Sequence, residues 1–461
     1  MTAHSQRLSF WQKAAYAVGD FGNSVGPGTI IPFWYTIFLT DIVRLDLRLV
    51  SLFWLVVTLW DAINDPLMGF ISDRTRTRWG RRRPFLLFGA IPFGVAFALL
   101  WVITATRSQS LLFAYYTGIY MLYEAAFTSV ACPYSALTPE LTDDHDERTS
   151  LVTYRMAVSI GAGLLAPLVL GLVIFPMFDA RDPKAYQTIG TVAGIAFIPP
   201  VLITFLGTRE RPEFQQRAAL PIRESLSYVA RNHAFRYTLA LKLLSWTPVV
   251  IVQAVFAYYL TYWAGMTEDE ASLVQGVILA VALVLLPLVG YLARRFEKKR
   301  AYIIAVAIWV AVMVAIGFIP QGAKLPIYIL AGLAGFGVAA AHVIPTAMSP
   351  DVMEVDELMS GHRQEGIYAG IEVFIDKVAR MLVMGLLPLA LRASSYVQPT
   401  DAVALPEQPA SALLMLRLLV SLVPALLLLV SLGVAWAYPI TRERYGQIQS
   451  ELAARRQSGS L

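Results

Sequence analysis

About twelve windows of roughly twenty apolar residues each run through this chain, and that length is what an α-helix needs to cross the hydrocarbon core of a bilayer. They lie near residues 14–40, 48–72, 84–105, 110–137, 150–176, 187–207, 236–264, 270–293, 300–319, 325–348, 364–392 and 411–438. In lipid every backbone polar group must be satisfied within the segment, so helices are the only plausible form for these windows. Composition agrees: 57% of the 461 residues are hydrophobic and 15% charged, with a mean hydropathy of +0.59. A soluble domain cannot hide that much apolar surface. The single cysteine, Cys132, excludes an intramolecular disulfide and any CxxC metal site. The start of the chain has no short apolar core followed by a cleavage site, so the first span is expected to act as its own uncleaved signal.

Loop charge orients the spans. Arg74, Arg76, Arg78, Arg81, Arg82 and Arg83 separate spans two and three. Arg209, Arg211, Arg217, Arg223 and Arg231 separate six and seven, and Arg294, Arg295, Lys298, Lys299 and Arg300 separate eight and nine. All three clusters fall on one side, which the positive-inside rule makes cytoplasmic, with both termini. The expected organisation is a six-helix half over 1–207, a cytoplasmic linker over 208–235, a second six-helix half over 236–440 and a tail over 441–461. Basic runs at matching places, Arg78-Trp79-Gly80-Arg81-Arg82-Arg83-Pro84 and Arg294-Arg295-Phe296-Glu297-Lys298-Lys299-Arg300, give weak evidence that the halves repeat. Paired halves with a site near the midplane are the plan of major facilitator transporters.

Charges inside the spans point to function, because an ionised side chain at the bilayer centre costs at least a few kcal/mol. Asp61 and Asp65, four residues apart on span two, share a helix face with Asn64 beside them. Together they read as a small cage of oxygen ligands for a sodium ion or a proton. Lys377 lies about 13 residues into span eleven, so at 1.5 Å per residue it is roughly 20 Å deep, and carboxylates of span two are its expected mates. The plainer alternative is a purely structural ion pair.

The chain resembles the glycoside-pentoside-hexuronide:cation symporters, the melibiose permease-like family of major facilitators. The resemblance is carried by Tyr16-Ala17-Val18-Gly19-Asp20-Phe21-Gly22-Asn23, by Trp60-Asp61-Ala62-Ile63-Asn64-Asp65-Pro66-Leu67-Met68-Gly69 with Asp73-Arg74-Thr75-Arg76-Thr77-Arg78-Trp79-Gly80, and by Gly361-His362-Arg363-Gln364-Glu365-Gly366-Ile367-Tyr368 ahead of Lys377. It implies an all-α membrane fold of twelve helices. It also implies a coupling cation, Na+ or H+, held by Asp61, Asn64, Asp65 and Thr128 with Lys377 as charge partner. No other cofactor is expected. Where the type member holds its sugar with two aspartates and a tryptophan, this chain has Ser24, Ala131 and Ser135, so galactoside specificity does not carry over. Arg155 matches the family's sugar-contacting arginine.

The candidate substrate residues are therefore Asp20, Asn23, Tyr123, Glu124, Arg155, His342, Tyr368 and Glu372. Carboxylates and guanidinium groups suit sugar hydroxyls, and aromatic rings suit the apolar ring face. Each has a bland reading: Arg155 snorkelling to headgroups, His342 satisfied in a core, the tyrosines packing, and Glu372, Asp376 and Arg380 neutralising one another at i,i+4. The expected activity is cation-coupled symport of a sugar or glycoside by alternating access, by a monomer in a bacterial inner membrane that binds no nucleic acid. Relatives of this family in animals carry lysophospholipids, so a lysophospholipid is an alternative cargo, as is an acidic or sulfonated sugar. An intramembrane enzyme is remote, since the chain has neither a nucleophile elbow nor HExxH.

Overall fold

The computed structural model describes residues 8–142, 145–179, 181–210, 232–295, 298–360, 365–400 and 405–440, with residues 403, 444, 446–448 and 450–451. The side chains of His342 and Tyr368 lie outside the described residues. After a first crossing that starts as α1 (Phe10–Ala17) and α2 (Phe21–Val25) come α3 (Leu47–Arg74), α4 (Arg83–Leu100), α5 (Gln109–Leu141), α6 (His145–Val169) and α7 (Pro183–Gly207). They are followed by α8 (His233–Tyr258), α9 (Glu268–Arg295), α10 (Lys298–Ile316), α11 (Lys324–Ser360), α12 (Glu365–Ala393), α13 (Ala410–Val420) and α14 (Leu422–Trp436). No strand occurs among the described residues, only an isolated bridge between Thr77 and Gly80.

Nine helices among the described residues are long and apolar enough to span a membrane. The broken run from Phe10 to Ile42, α5 and α12 bring the crossings to the twelve that the hydropathy windows predict. Those three fall outside the nine, and they carry most of the candidate site residues.

The helices fall into two compact units. The first comprises Met1–Arg217, Thr267–Gly276 and Gly385–Gln408; the second comprises Ala218–Met266, Val277–Met384 and Pro409–Leu461. In the first unit an aromatic core joins Tyr35, Phe53, Trp54 and Tyr120, with ring centroids 5.1–6.3 Å apart. α4 and α7 cross at Gly94 and Gly194, where an added Cβ would come within 2.3 and 2.4 Å of the opposite glycine's carbonyl oxygen. Only a residue without a side chain permits that approach, the usual device for helix packing in lipid. In the second unit the Arg417 guanidinium lies 4.5 Å from the Trp263 ring centroid. The Trp263 indole donates to the Ile319 carbonyl at 3.1 Å.

The chain of span one cannot stay a regular helix. Gly26-Pro27-Gly28 and Pro32 fall within it, and the backbone winds wider over Gly26–Tyr35, as prolines and glycines impose. The Thr29 hydroxyl donates to the Ser24 carbonyl at 2.9 Å, which re-satisfies backbone freed by the break.

Two polar assemblies cap the first unit. The basic turn after α3 is closed around a carboxylate: the backbone N–H groups of Arg81, Arg82 and Arg83 donate to Glu210 at 2.7, 2.7 and 2.8 Å. Gly80 takes φ +107°, and a Cβ there would lie 2.5 Å from that carboxylate. This run is therefore a structural clasp, with the helix N-terminus holding an anion supplied by the chain itself. In the other assembly Arg181, 6% exposed, sits between Asp41 (3.4 Å) and Glu268 (3.7 Å). Tyr396 donates to both Asp41 oxygens at 2.9 Å, and Tyr186 donates to Glu268. Hydropathy windows carry no trace of this network, because its members stand at loop ends scattered from Asp41 to Tyr396. Arg181→Met would leave Asp41 and Glu268 buried without their cation, a loss of about 3–5 kcal/mol. A marked fall in the apparent melting temperature of the purified protein in detergent checks this; an unchanged melting temperature contradicts it.

Candidate functional site

The face that α3 gives to its neighbours is fixed by its apolar stripe. Leu52, Leu55, Leu59, Ile63, Leu67 and Phe70 are all exposed and recur every three or four residues, the pattern of a surface suited to lipid tails. Asp61 and Asp65 each stand two residues from Ile63, about 200° around the helix, so both carboxylates point to the protein side. Both are partly buried, and Asn64 is 7% exposed.

Three hydrogen bonds tie this face to α5. The Trp60 indole donates to the Met121 carbonyl at 3.0 Å, the Asn64 amide to the Glu124 carbonyl at 3.2 Å, and the Thr128 hydroxyl to Asp65 Oδ1 at 3.0 Å. The partners advance together along both helices, so α3 and α5 run parallel, as two even-numbered spans must. The structure thus brings Asp65, Asn64 and Thr128 to one seam, with Asp61 one turn before Asp65. Thr128 is 2% exposed. Among the described residues no three His, Cys, Asp or Glu side chains group as metal ligands. A cation at this seam would rely on two carboxylates and neutral oxygens, a set that suits a hard monovalent ion and not a transition metal.

A second cluster forms where span one breaks. Arg155 of α6 holds Asp20 through Nε at 3.0 Å and Nη2 at 2.9 Å. Asn23 Nδ2 lies 3.4 Å from the same oxygen, and the Ser24 hydroxyl reaches the other carboxylate oxygen at 3.3 Å and Ser159 at 2.6 Å. The Arg155 guanidinium also lies 5.1 Å from the Tyr134 ring centroid, a cation–π contact. Tyr134 stacks on Tyr16 at 5.1 Å, and its hydroxyl donates to the Tyr16 carbonyl at 2.9 Å. Arg155 is thus fixed by an ion pair and an aromatic platform and is not snorkelling. Asp20 and Asn23 of span one meet Arg155, 135 residues beyond Asp20.

The other candidates sit differently. Tyr123 is fully buried against Phe93, Phe97, Tyr120 and Phe127, a packing position. Glu124, its neighbour on α5, lends its main-chain carbonyl to Asn64. Glu372 and Asp376 have a partner beyond their own helix: both meet Lys242 of α8, whose Nζ lies 3.0 Å from Glu372 Oε2 and 3.1 Å from Asp376 Oδ2. Lys377 lies on the same helix and is partly buried. Sequence reading passed over Lys242, Ser159 and Tyr134. Lys242 left a signal, being the one charge in its span beyond Arg236 at the start.

Comparison with known proteins identifies the family and the fold. Residues 15–442 match the family described as MFS/sugar transport protein. The chain is 30% identical to an uncharacterised symporter of Synechocystis sp., over 99% of each chain. It is 27% identical to the sodium-dependent lysophosphatidylcholine symporter 1 of Mus musculus, over 99% of this chain and 90% of that one. It is 26% identical to a sphingosine-1-phosphate transporter of Xenopus tropicalis, over 96% and 90%. Among solved structures, a bacterial homologue of the human lysosomal transporter Spinster, inward-facing and unoccupied, superimposes with a TM-score of 0.67 at 12% identity, covering 93% of this chain and 95% of that one. A bacterial homologue of the iron transporter ferroportin, inward-facing, gives 0.64 at 14% identity, covering 93% and 99%. These two likenesses concern the fold alone. The chain belongs to the MFS/sugar transport protein family, and it is an integral membrane transporter of the major facilitator fold, not an enzyme.

Proposed function

We propose that this protein is a sodium-coupled symporter that moves an amphiphilic solute with a phosphate-bearing headgroup, of the lysophospholipid type, by alternating access. The observation that carries the cargo is the held Arg155. A guanidinium presents five N–H donors in a rigid fork, and Asp20 takes two of them. The remaining donors, oriented by Tyr134 and set beside the broken stretch of span one, suit the oxygens of a phosphate. The names of the sodium-dependent lysophosphatidylcholine symporters support the same class of cargo.

The coupling cation belongs at the α3–α5 seam. Asp61 and Asp65 supply charge. Asn64, whose nitrogen is committed to the Glu124 carbonyl, has its oxygen left for a cation, and Thr128 completes the set. Neutral oxygens of this kind favour sodium over a proton, which needs none. Lys377 enters as the charge partner of the empty site. In the second unit Glu372 is the substrate-side carboxylate, within its own charge centre. The resemblance to the glycoside-pentoside-hexuronide:cation symporters and the basic loops support a bacterial inner-membrane monomer with both termini cytoplasmic.

A second reading keeps the sugar or glycoside as cargo. It is favoured by the Asp20–Arg155–Asn23 cluster, since a carboxylate and a guanidinium side by side can bracket a pair of hydroxyls.

Counterflow in proteoliposomes separates these readings. Labelled lysophosphatidylcholine, with and without sodium, is compared with glycosides, uronic acids and sulfonated sugars. Sodium-stimulated lysophosphatidylcholine exchange is the expected result; exchange of a sugar alone would assign the second reading, and exchange of none would contradict both.

Asp65→Asn is expected to abolish sodium-driven accumulation while leaving solute exchange measurable, because a neutral amide cannot balance a bound cation. Full accumulation by the variant, or sodium-independent uptake with a steep proton requirement, would remove sodium from this seam.

A further inference from the structure

Lys242 is a charge that neither the cation seam nor the Arg155 cluster uses. It stands on α8 within the second unit, and its ammonium meets two carboxylates at once, Glu372 at 3.0 Å and Asp376 at 3.1 Å. The three side chains are 21%, 12% and 29% exposed, so the group is neither sealed in the core nor open to solvent. Glu372 and Asp376 are one turn apart on the same face of α12. Arg380 follows one turn beyond Asp376 on that face. Lys377, adjacent to Asp376, points about 100° away, so α12 carries two separate charge centres.

The Lys242 ammonium has a choice of two carboxylates. A buried ion pair that loses one partner leaves an uncompensated charge, and that loss is strongly unfavourable. With two carboxylates, the ammonium can release one and stay paired with the other. We propose that Lys242 is a positioning residue for substrate recognition. It holds Glu372 ready in the empty carrier and hands it to the free glycerol hydroxyl of the solute, while Asp376 acts as the reserve partner that keeps the ammonium neutralised. The inference rests on the reading of Glu372 as a substrate-side carboxylate.

The test is equilibrium binding of radiolabelled lysophosphatidylcholine to the purified full-length protein in sodium, over a set of variants. Glu372→Gln should weaken binding, which checks the parent reading. Asp376→Asn should also weaken it, by about tenfold, the scale of one charge-assisted hydrogen bond. Here Glu372 can leave only by stripping Lys242 of its last partner. The double variant Lys242→Met with Asp376→Asn should bind better than Asp376→Asn alone, because Lys242 then no longer competes for Glu372. Lys242→Arg should restore most of the wild-type behaviour, and melting temperatures of all variants identify any that have not folded. A merely structural lysine predicts the opposite order, with the double variant worst. If the wild type binds no lysophosphatidylcholine, or Glu372→Gln binds it as well as the wild type, the parent reading falls and the proposal with it. If Glu372→Gln is weakened but Asp376→Asn is not, or Lys242→Met brings no recovery, the positioning role alone is overturned.

Discussion

The constraint on which this structure depends is that a charge placed among membrane-spanning helices must find its counter-charge or hydrogen-bond partner inside the protein. Arg155 takes Asp20, Lys242 takes Glu372 and Asp376, Arg181 takes Asp41 and Glu268, and Asp65 accepts from Thr128. None of these arrangements is the best route to stability, since apolar residues of similar volume would pack as well at lower desolvation cost. The basic turn closed by Glu210 and the Arg181 network obey the same rule at the ends of the helices, where they fix loops.

Geometry follows from where the regular helix gives way. The glycines and prolines of span one open the backbone just beyond Asp20 and Asn23, so the Arg155 cluster sits beside backbone that a continuous helix would have closed. Conversely, α3 and α5 stay regular. Their three cross-links keep Asp65 and Thr128 in register as one rigid seam. A cation seam profits from such rigidity, because selectivity between hard ions depends on cavity size and ligand spacing. A solute site profits from the irregular wall.

The fold was legible in the sequence because its signals are periodic and local. Hydropathy windows marked the spans, and the Arg74–Arg83 run stood out as a loop. Asp61 and Asp65 could be placed on one face by counting, and the seam with Thr128 came with the family resemblance. Partner choice across helices was not legible. Nothing in the spacing of Glu372, Asp376 and Arg380 shows that Lys242, some 130 residues earlier, takes the first two, because i,i+4 logic sees only a helix's own neighbours. Tyr123 illustrates the converse: a tyrosine on a functional helix looks like a platform in sequence, yet full burial makes it core. The cargo stayed open for a related reason. Ser24, Ala131 and Ser135 show which sugar contacts are missing but not what replaces them, and Asp20 with Arg155 can serve either hydroxyls or a phosphate.

The central claim is that an ion at the α3–α5 seam and a solute at the Arg155 cluster are energetically coupled. Linkage makes it directly measurable: solute affinity with and without sodium, and sodium affinity with and without solute, must change by the same factor. Calorimetric titration of the purified protein with sodium and lysophosphatidylcholine in both orders supplies the four constants. The account predicts a common factor clearly above one in the wild type and a factor near one in Asp61→Asn. Tight binding of both ligands with no mutual effect in the wild type would contradict it.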